Sequence, residues 1–151
     1  MSWTTWIALA GAMVAGSMVA IQPGINGQLS KRLDSPFQAA VVSFTVGLLT
    51  LVVVCLVRGV APYKLSALRG APIWQILGGG MVGSVFVTTA LTVAPRIGAA
   101  SFVALALAGQ IVASLVLDHF GWIGFAKQPL NPYRVLGAVL LFAGVLLVSR
   151  N

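Results

Sequence analysis

"FQAAVVSFTVGLLTLVVVCLV", residues 37–57, runs for twenty-one residues without a charge. At 1.5 Å per residue a helix of that length covers about 30 Å, the thickness of the hydrocarbon core of a bilayer. A lipid-exposed backbone must satisfy its hydrogen bonds within its own segment, so this stretch reads as a membrane-spanning helix and is too continuous for a barrel strand.

Working outward, the same test finds four further spans, giving five at about 3–30, 37–57, 73–94, 97–117 and 135–149. The start, "MSWTTWIALAGAM", has no basic residues ahead of its apolar stretch, which continues too far for a cleaved signal; it reads as the first span. Composition agrees. The chain is 59% hydrophobic and 7% charged, with a mean hydropathy of +1.02, whereas soluble domains carry roughly 25% charged residues. Cys55, the only cysteine, excludes an internal disulfide and reads as a small packing residue.

Nine Lys and Arg stand against two Asp and no Glu, and the basic residues sit in the gaps between apolar runs, where they meet lipid headgroups rather than nucleic acid. With five spans, Arg58, Lys64, Arg69, Lys127 and Arg134 share the face of the N-terminus, and Lys31, Arg32, Arg96 and Arg150 share the opposite one. Five against four is almost no instruction under the positive-inside rule, so the chain is expected to insert both ways up. Inverted copies make an antiparallel pair with a two-fold axis in the membrane plane, the symmetry many transporters carry as inverted repeats around a midplane site.

Polar residues within the spans supply the candidate sites. In the first span Ala8, Ala12, Gly16, Ala20 and Gly24 recur every four residues, a small-residue stripe suited to close helix packing. Gln22, Asn26 and Ser30 recur on a neighbouring face, and Pro23 between them removes a backbone donor, kinks the helix and frees an upstream carbonyl. This helix end is expected to face protein or a wet cavity. Gln22 and Asn26 are open between interhelical hydrogen bonds and contact with a solute. The third span places Gly80, Ser84, Thr88 and Thr92 along one face beside Gly78, Gly79 and Gly83. Gly79 and Gly83 read as packing; Thr88 is a candidate for the substrate pathway, although hydroxyls also bond their own helix carbonyls.

The fourth span carries Gln110, Ser114 and Asp118 at successive four-residue steps, with Gln110 near the middle as the best single candidate for a central polar contact. Asp118 and His119 read either as ionisable groups coupled to transport or as an interfacial pair ending the helix near Trp122. Asp34, ahead of "SP", reads as a turn residue before the second helix, and Arg96 as a headgroup contact with an anionic substrate as its other reading. One His, two Asp and one Cys give too few ligands for a metal site, and no Ser stands at a spacing that supplies an oriented base, so no enzymatic chemistry and no cofactor are expected.

Three stretches, "IQPGINGQLSKRLDSPFQAAVVSFTVG" (21–47), "TVAPRIGAASFVALALAGQIVASLVLDHFGWIGF" (92–125) and "PLNPYRVLGAVLLFAGVLLV" (129–148), resemble the YdcZ-type five-helix family of the bacterial drug/metabolite transporter superfamily. The resemblance implies a multi-pass protein of the bacterial inner membrane, related to half of a ten-helix EamA-type transporter. It maps recurring polar positions onto Gln22, Asn26, Gln110, Asp118 and His119. Small multidrug-resistance exporters, also antiparallel dimers, exchange protons through a Glu in the first helix; this chain has no Glu, so that coupling is not carried over.

The expectation is therefore an all-α integral membrane protein. One five-helix domain over 1–151 pairs with an inverted copy to give ten helices, and moves an unidentified small solute by alternating access. Its expected partners are membrane lipids, its own copy and that solute, without nucleic acid. The alternatives are a non-transporting scaffold or accessory subunit, or one half of an oppositely oriented heterodimer.

Overall fold

The computed structural model describes residues 2–61 and 68–150. Among them are five α-helices and no strand: α1 (Trp3–Leu33), α2 (Pro36–Val57), α3 (Ile73–Ile97), α4 (Ala99–Phe120) and α5 (Pro132–Val148), with a short 3₁₀ turn (Trp122–Gly124) between the last two. The first four are long and apolar enough to cross a membrane, and α5 is a shorter apolar helix of 17 residues. Lys64 lies outside the described residues.

The chain divides into two compact units, Met1–Pro95 and Arg96–Asn151. In the first, α1 and α2 form a tight hairpin whose geometry is set by three residues. Asp34 caps α1 in the left-handed region (φ 52, ψ 23), one of the few non-glycine types that tolerate it. Its N–H and that of Ser35 both donate to the Ser30 carbonyl, closing the end of α1. Ser35 then caps α2 by accepting from the Gln38 N–H at 3.3 Å, and Pro36 occupies the first helical turn, where its missing N–H has no consequence. Asp34 and Ser35 thus reverse the chain, as the "DSP" sequence predicts. Lys31 and Arg32 fall in the last turn of α1, where cations suit the negative end of the helix dipole, so the helix continues past the uncharged run.

The core of this unit is small: Ala39 and Ala40 of α2 pack with Val87 and Leu91 of α3, flanked by Leu29, Leu33 and Phe86. Alanine at the α2 positions is what allows α1 and α3 side chains to reach the same cluster. Elsewhere the large apolar side chains point outward, Leu51, Val53 and Val57 on α2 and Met81, Val82 and Val85 on α3 among them. In water this would be untenable; with lipid as the solvent it is the expected arrangement.

In the second unit α4 ends at Gly121, whose left-handed conformation (φ 68, ψ 34) lets its N–H close on the Leu117 carbonyl. A Cβ there would meet the Lys127 Cβ at 3.3 Å and the Lys127 Cα at 3.5 Å, so glycine is required both by conformation and by space. The chain turns through Trp122–Gly124 and runs extended to Asn131. The Asn131 side chain accepts the Arg134 N–H at 2.9 Å, and Pro132 starts α5.

Candidate functional site

In the first unit Gln22 and Asn26 line one shallow groove on α1 together with Met18, Ile21 and Ile25. Their environments differ. Gln22 is exposed, whereas Asn26 is only 7% exposed and donates its Nδ2–H to the Ser43 hydroxyl of α2 at 3.1 Å. Asn26 therefore joins two helices. Ser43 was not singled out by periodicity, although its place gives it away: in a helical hairpin, residues equally distant from the turn face each other, and Asn26 and Ser43 lie eight and nine residues from Asp34. Pro23 is half-buried within a helix that continues on both sides of it.

Of the small residues read as packing positions, Ala20 is half-buried and Ala12, Gly16 and Gly24 are exposed. A Cβ built on Gly16, Gly24 or Gly79 meets no atom within 4 Å among the described residues; one on Gly83 would touch the Phe44 ring at 3.6 Å, an ordinary contact. On α3, Thr88 is half-buried beside Ser84, Val85 and Thr89 at an open groove. The neighbouring hydroxyls are turned inward on their own helix, Ser84 to the Gly80 carbonyl at 2.8 Å and Thr92 to the Thr88 carbonyl at 3.0 Å.

In the second unit Gln110 and Ser114 are exposed along α4, the Ser114 hydroxyl donating to the Ile111 carbonyl at 3.0 Å. One turn on, Asp118 and His119 enter a polar clasp that holds the segment leading into α5. The Arg134 guanidinium donates to Asp118 Oδ2 at 2.5 Å and to the Gln128 carbonyl at 3.0 Å. The Asp118 carbonyl accepts the Gln128 N–H at 2.7 Å, and His119 Nδ1 accepts the Leu130 N–H at 3.2 Å. The ion pair is largely shielded, with the side chains of Arg134 and Asp118 27% and 22% exposed. Accepting from Leu130 requires an imidazole whose Nδ1 carries no proton. Arg134, grouped by sequence with the loop charges, is thus half of an ion pair; an acid that is one of only two in the chain was the available signal.

The remaining basic residues lie at helix ends or in connections. Lys31 and Arg32 are exposed in the last turn of α1, Arg58 caps α2, Arg96 is exposed in the last turn of α3, and Arg69, Lys127 and Arg150 are exposed. Cys55 is half-buried and free.

Comparison with known proteins gives a concordant picture. Residues 7–147 match the family described as "Putative inner membrane exporter, YdcZ". The chain is 28% identical over 149 residues to "Inner membrane protein YdcZ" of Escherichia coli (strain K12), covering 96% of each sequence. No solved structure matches.

Proposed function

The chain belongs to the YdcZ family and is a multi-pass protein of the inner membrane, and from that premise we propose that it exports a small solute by alternating access as an inverted homodimer. The observation that carries this reading is the exposure of two amides on membrane-length helices, Gln22 of α1 and Gln110 of α4. Leaving such a group unpaired in an apolar medium costs roughly 1–3 kcal/mol. Both faces therefore call for protein or water, and a second copy in the opposite orientation supplies both: its helices cover the faces, and the volume enclosed between copies holds water and solute. Near-balance of the loop charges favours that orientation.

In this reading Gln22 and Thr88 in the first unit, and Gln110 and Ser114 in the second, are solute contacts. Asn26 sets the position of Gln22 one turn away through its bond to Ser43. The exposed small-residue faces around Gly16 and Gly79 are where the second copy packs. Export follows the family description; the symmetry of an inverted pair makes the outward-open and inward-open states the same structure seen from opposite sides.

The test is topology. In a Cys55→Ala background, single reporters Lys64→Cys and Asn151→Cys are labelled in intact cells with a membrane-impermeant maleimide, before and after permeabilisation. Each reporter is expected to label in part from outside and in part only after permeabilisation. Labelling of each from one side alone removes the symmetric mechanism.

A further inference from the structure

The segment between α4 and α5 is the least regular part of the second unit, and its chemistry is unlike that of a loop in water. It turns three large apolar side chains outward, Trp122 (55% exposed), Ile123 (68%) and Phe125 (55%). Ile123 does so from the left-handed region (φ 56, ψ 29), which a β-branched residue adopts only when its surroundings impose it. Meanwhile four backbone polar groups of the segment are bonded within the protein, although Lys127, Gln128 and Asn131 are themselves exposed. The Gln128 N–H is taken by the Asp118 carbonyl, the Leu130 N–H by His119 Nδ1, the Gln128 carbonyl by Arg134 and the Phe125 N–H by the Trp122 carbonyl. Apolar side chains out, with part of the backbone bonded within the protein, suits a non-helical chain at the edge of the bilayer, where water is scarcer than in bulk.

Length leads to the same place. α4 has 22 residues, about 33 Å, enough to cross about 30 Å of hydrocarbon and bring Gly121 to its edge. α5 has 17 residues, about 26 Å, and falls about 4 Å short. Non-helical chain flanking α5 has to cover that deficit or the bilayer has to thin. The connector, with its aromatic side chains and Lys127, matches the belt composition of the membrane–water interface.

We propose that residues 121–131 form an interfacial anchor: Trp122, Ile123 and Phe125 insert among lipid acyl chains at the headgroup boundary, Lys127 faces anionic headgroups, and Asp118, His119 and Arg134 take the place of water for the connector backbone. The partner is the bilayer itself, continuous with the apolar surfaces of α4 and α5. This assigns Asp118 and His119 a positioning role in membrane docking and is independent of how the protein transports.

The experiment uses the full chain in vesicles of phosphatidylcholine and phosphatidylglycerol, with Trp3, Trp6 and Trp74 replaced by phenylalanine so that Trp122 alone emits. Lipids brominated near the headgroup end of the acyl chain are expected to quench Trp122 at least twofold more than lipids brominated near the bilayer centre, with acrylamide quenching weak. Arg134→Met in the same background is expected to shift the emission to the red and raise acrylamide quenching, since the connector then loses the donor to its Gln128 carbonyl. Strong acrylamide quenching without a bromolipid effect in the parent overturns the proposal, as does protection from both quenchers, which places the connector against protein. If the triple replacement fails to fold, Ile123→Cys in a Cys55→Ala chain gives the same decision: a sulfonated maleimide should react at least tenfold more slowly than a lipid-soluble one, and equal rates reject the anchor.

Discussion

Asn26 donates to the Ser43 hydroxyl at 3.1 Å, across the hairpin and nearly symmetric about Asp34. The bond is the one polar side-chain link described between α1 and α2. Interhelical bonds of this kind in membranes average about 0.6 kcal/mol and reach about 1.7. Ser43→Ala is therefore expected to lower stability by about 0.6 kcal/mol in a detergent unfolding titration, with Asn26→Leu costing more because it also alters a buried contact. In a double-mutant cycle the two should fail to add; strict additivity would show that the bond contributes nothing.

The turn itself gives a second test. Asp34 holds a left-handed conformation and Ser35 an N-cap, so the two positions should respond in opposite directions. Asp34→Gly relieves backbone strain and is expected to be neutral or stabilising by up to about 1 kcal/mol. Ser35→Ala removes the bond to the Gln38 N–H and is expected to destabilise by about 1 kcal/mol. Helical circular dichroism during thermal unfolding in detergent reads both, and a loss of stability in Asp34→Gly would contradict the capping geometry.

The helices were legible in the sequence because uncharged length is nearly sufficient evidence in a membrane, and "FQAAVVSFTVGLLTLVVVCLV" has no other physical reading. Helix ends were less so. Lys31, Arg32, Asp118 and His119 interrupt the apolar runs without interrupting the helices, since a basic last turn is favoured by the dipole and the Asp118–Arg134 pair neutralises the acid. Least legible were the pairings. Periodicity assigns residues to faces of one helix at a time, so it found Asn26, Asp118 and His119 but not their partners Ser43, Arg134 and the Leu130 N–H, which come from other elements.

Gln110 separates transport from scaffold. It is exposed on α4 with no described side-chain hydrogen bond, so Gln110→Leu should leave folding unchanged and, in the proposed inverted pair, the fraction of cross-linked dimer as well. If the amide contacts solute, any compound from a screened panel that raises the melting temperature of the parent should lose at least tenfold in affinity for the variant. A variant that keeps the ligand response but loses dimer would assign Gln110 to assembly.

The Asp118–Arg134 pair is shielded enough that removing one partner should cost more than removing both. Arg134→Met leaves a carboxylate without its counter-ion and the Gln128 carbonyl without a donor, and is expected to destabilise by about 2 kcal/mol. Asp118→Asn removes the charge but keeps an acceptor, for about 1 kcal/mol. The double variant should recover part of the loss, and a loss equal to the sum of the singles would show that the two charges do not interact.

Ile123 separates strain from insertion, because one substitution changes both. Its left-handed backbone costs an L-residue about 1–2 kcal/mol, which glycine does not incur. Ile123→Gly should therefore slow amide exchange at Phe125 and Gln128, whose N–H groups are bonded to the Trp122 carbonyl of the connector and the Asp118 carbonyl of α4. The same change removes a large apolar side chain from the segment. If that side chain lies among lipids, bromolipid quenching of a lone Trp122 should fall in the very variant whose connector has become more ordered. Greater protection with unchanged quenching would mean that Ile123 is strained for a reason other than membrane contact.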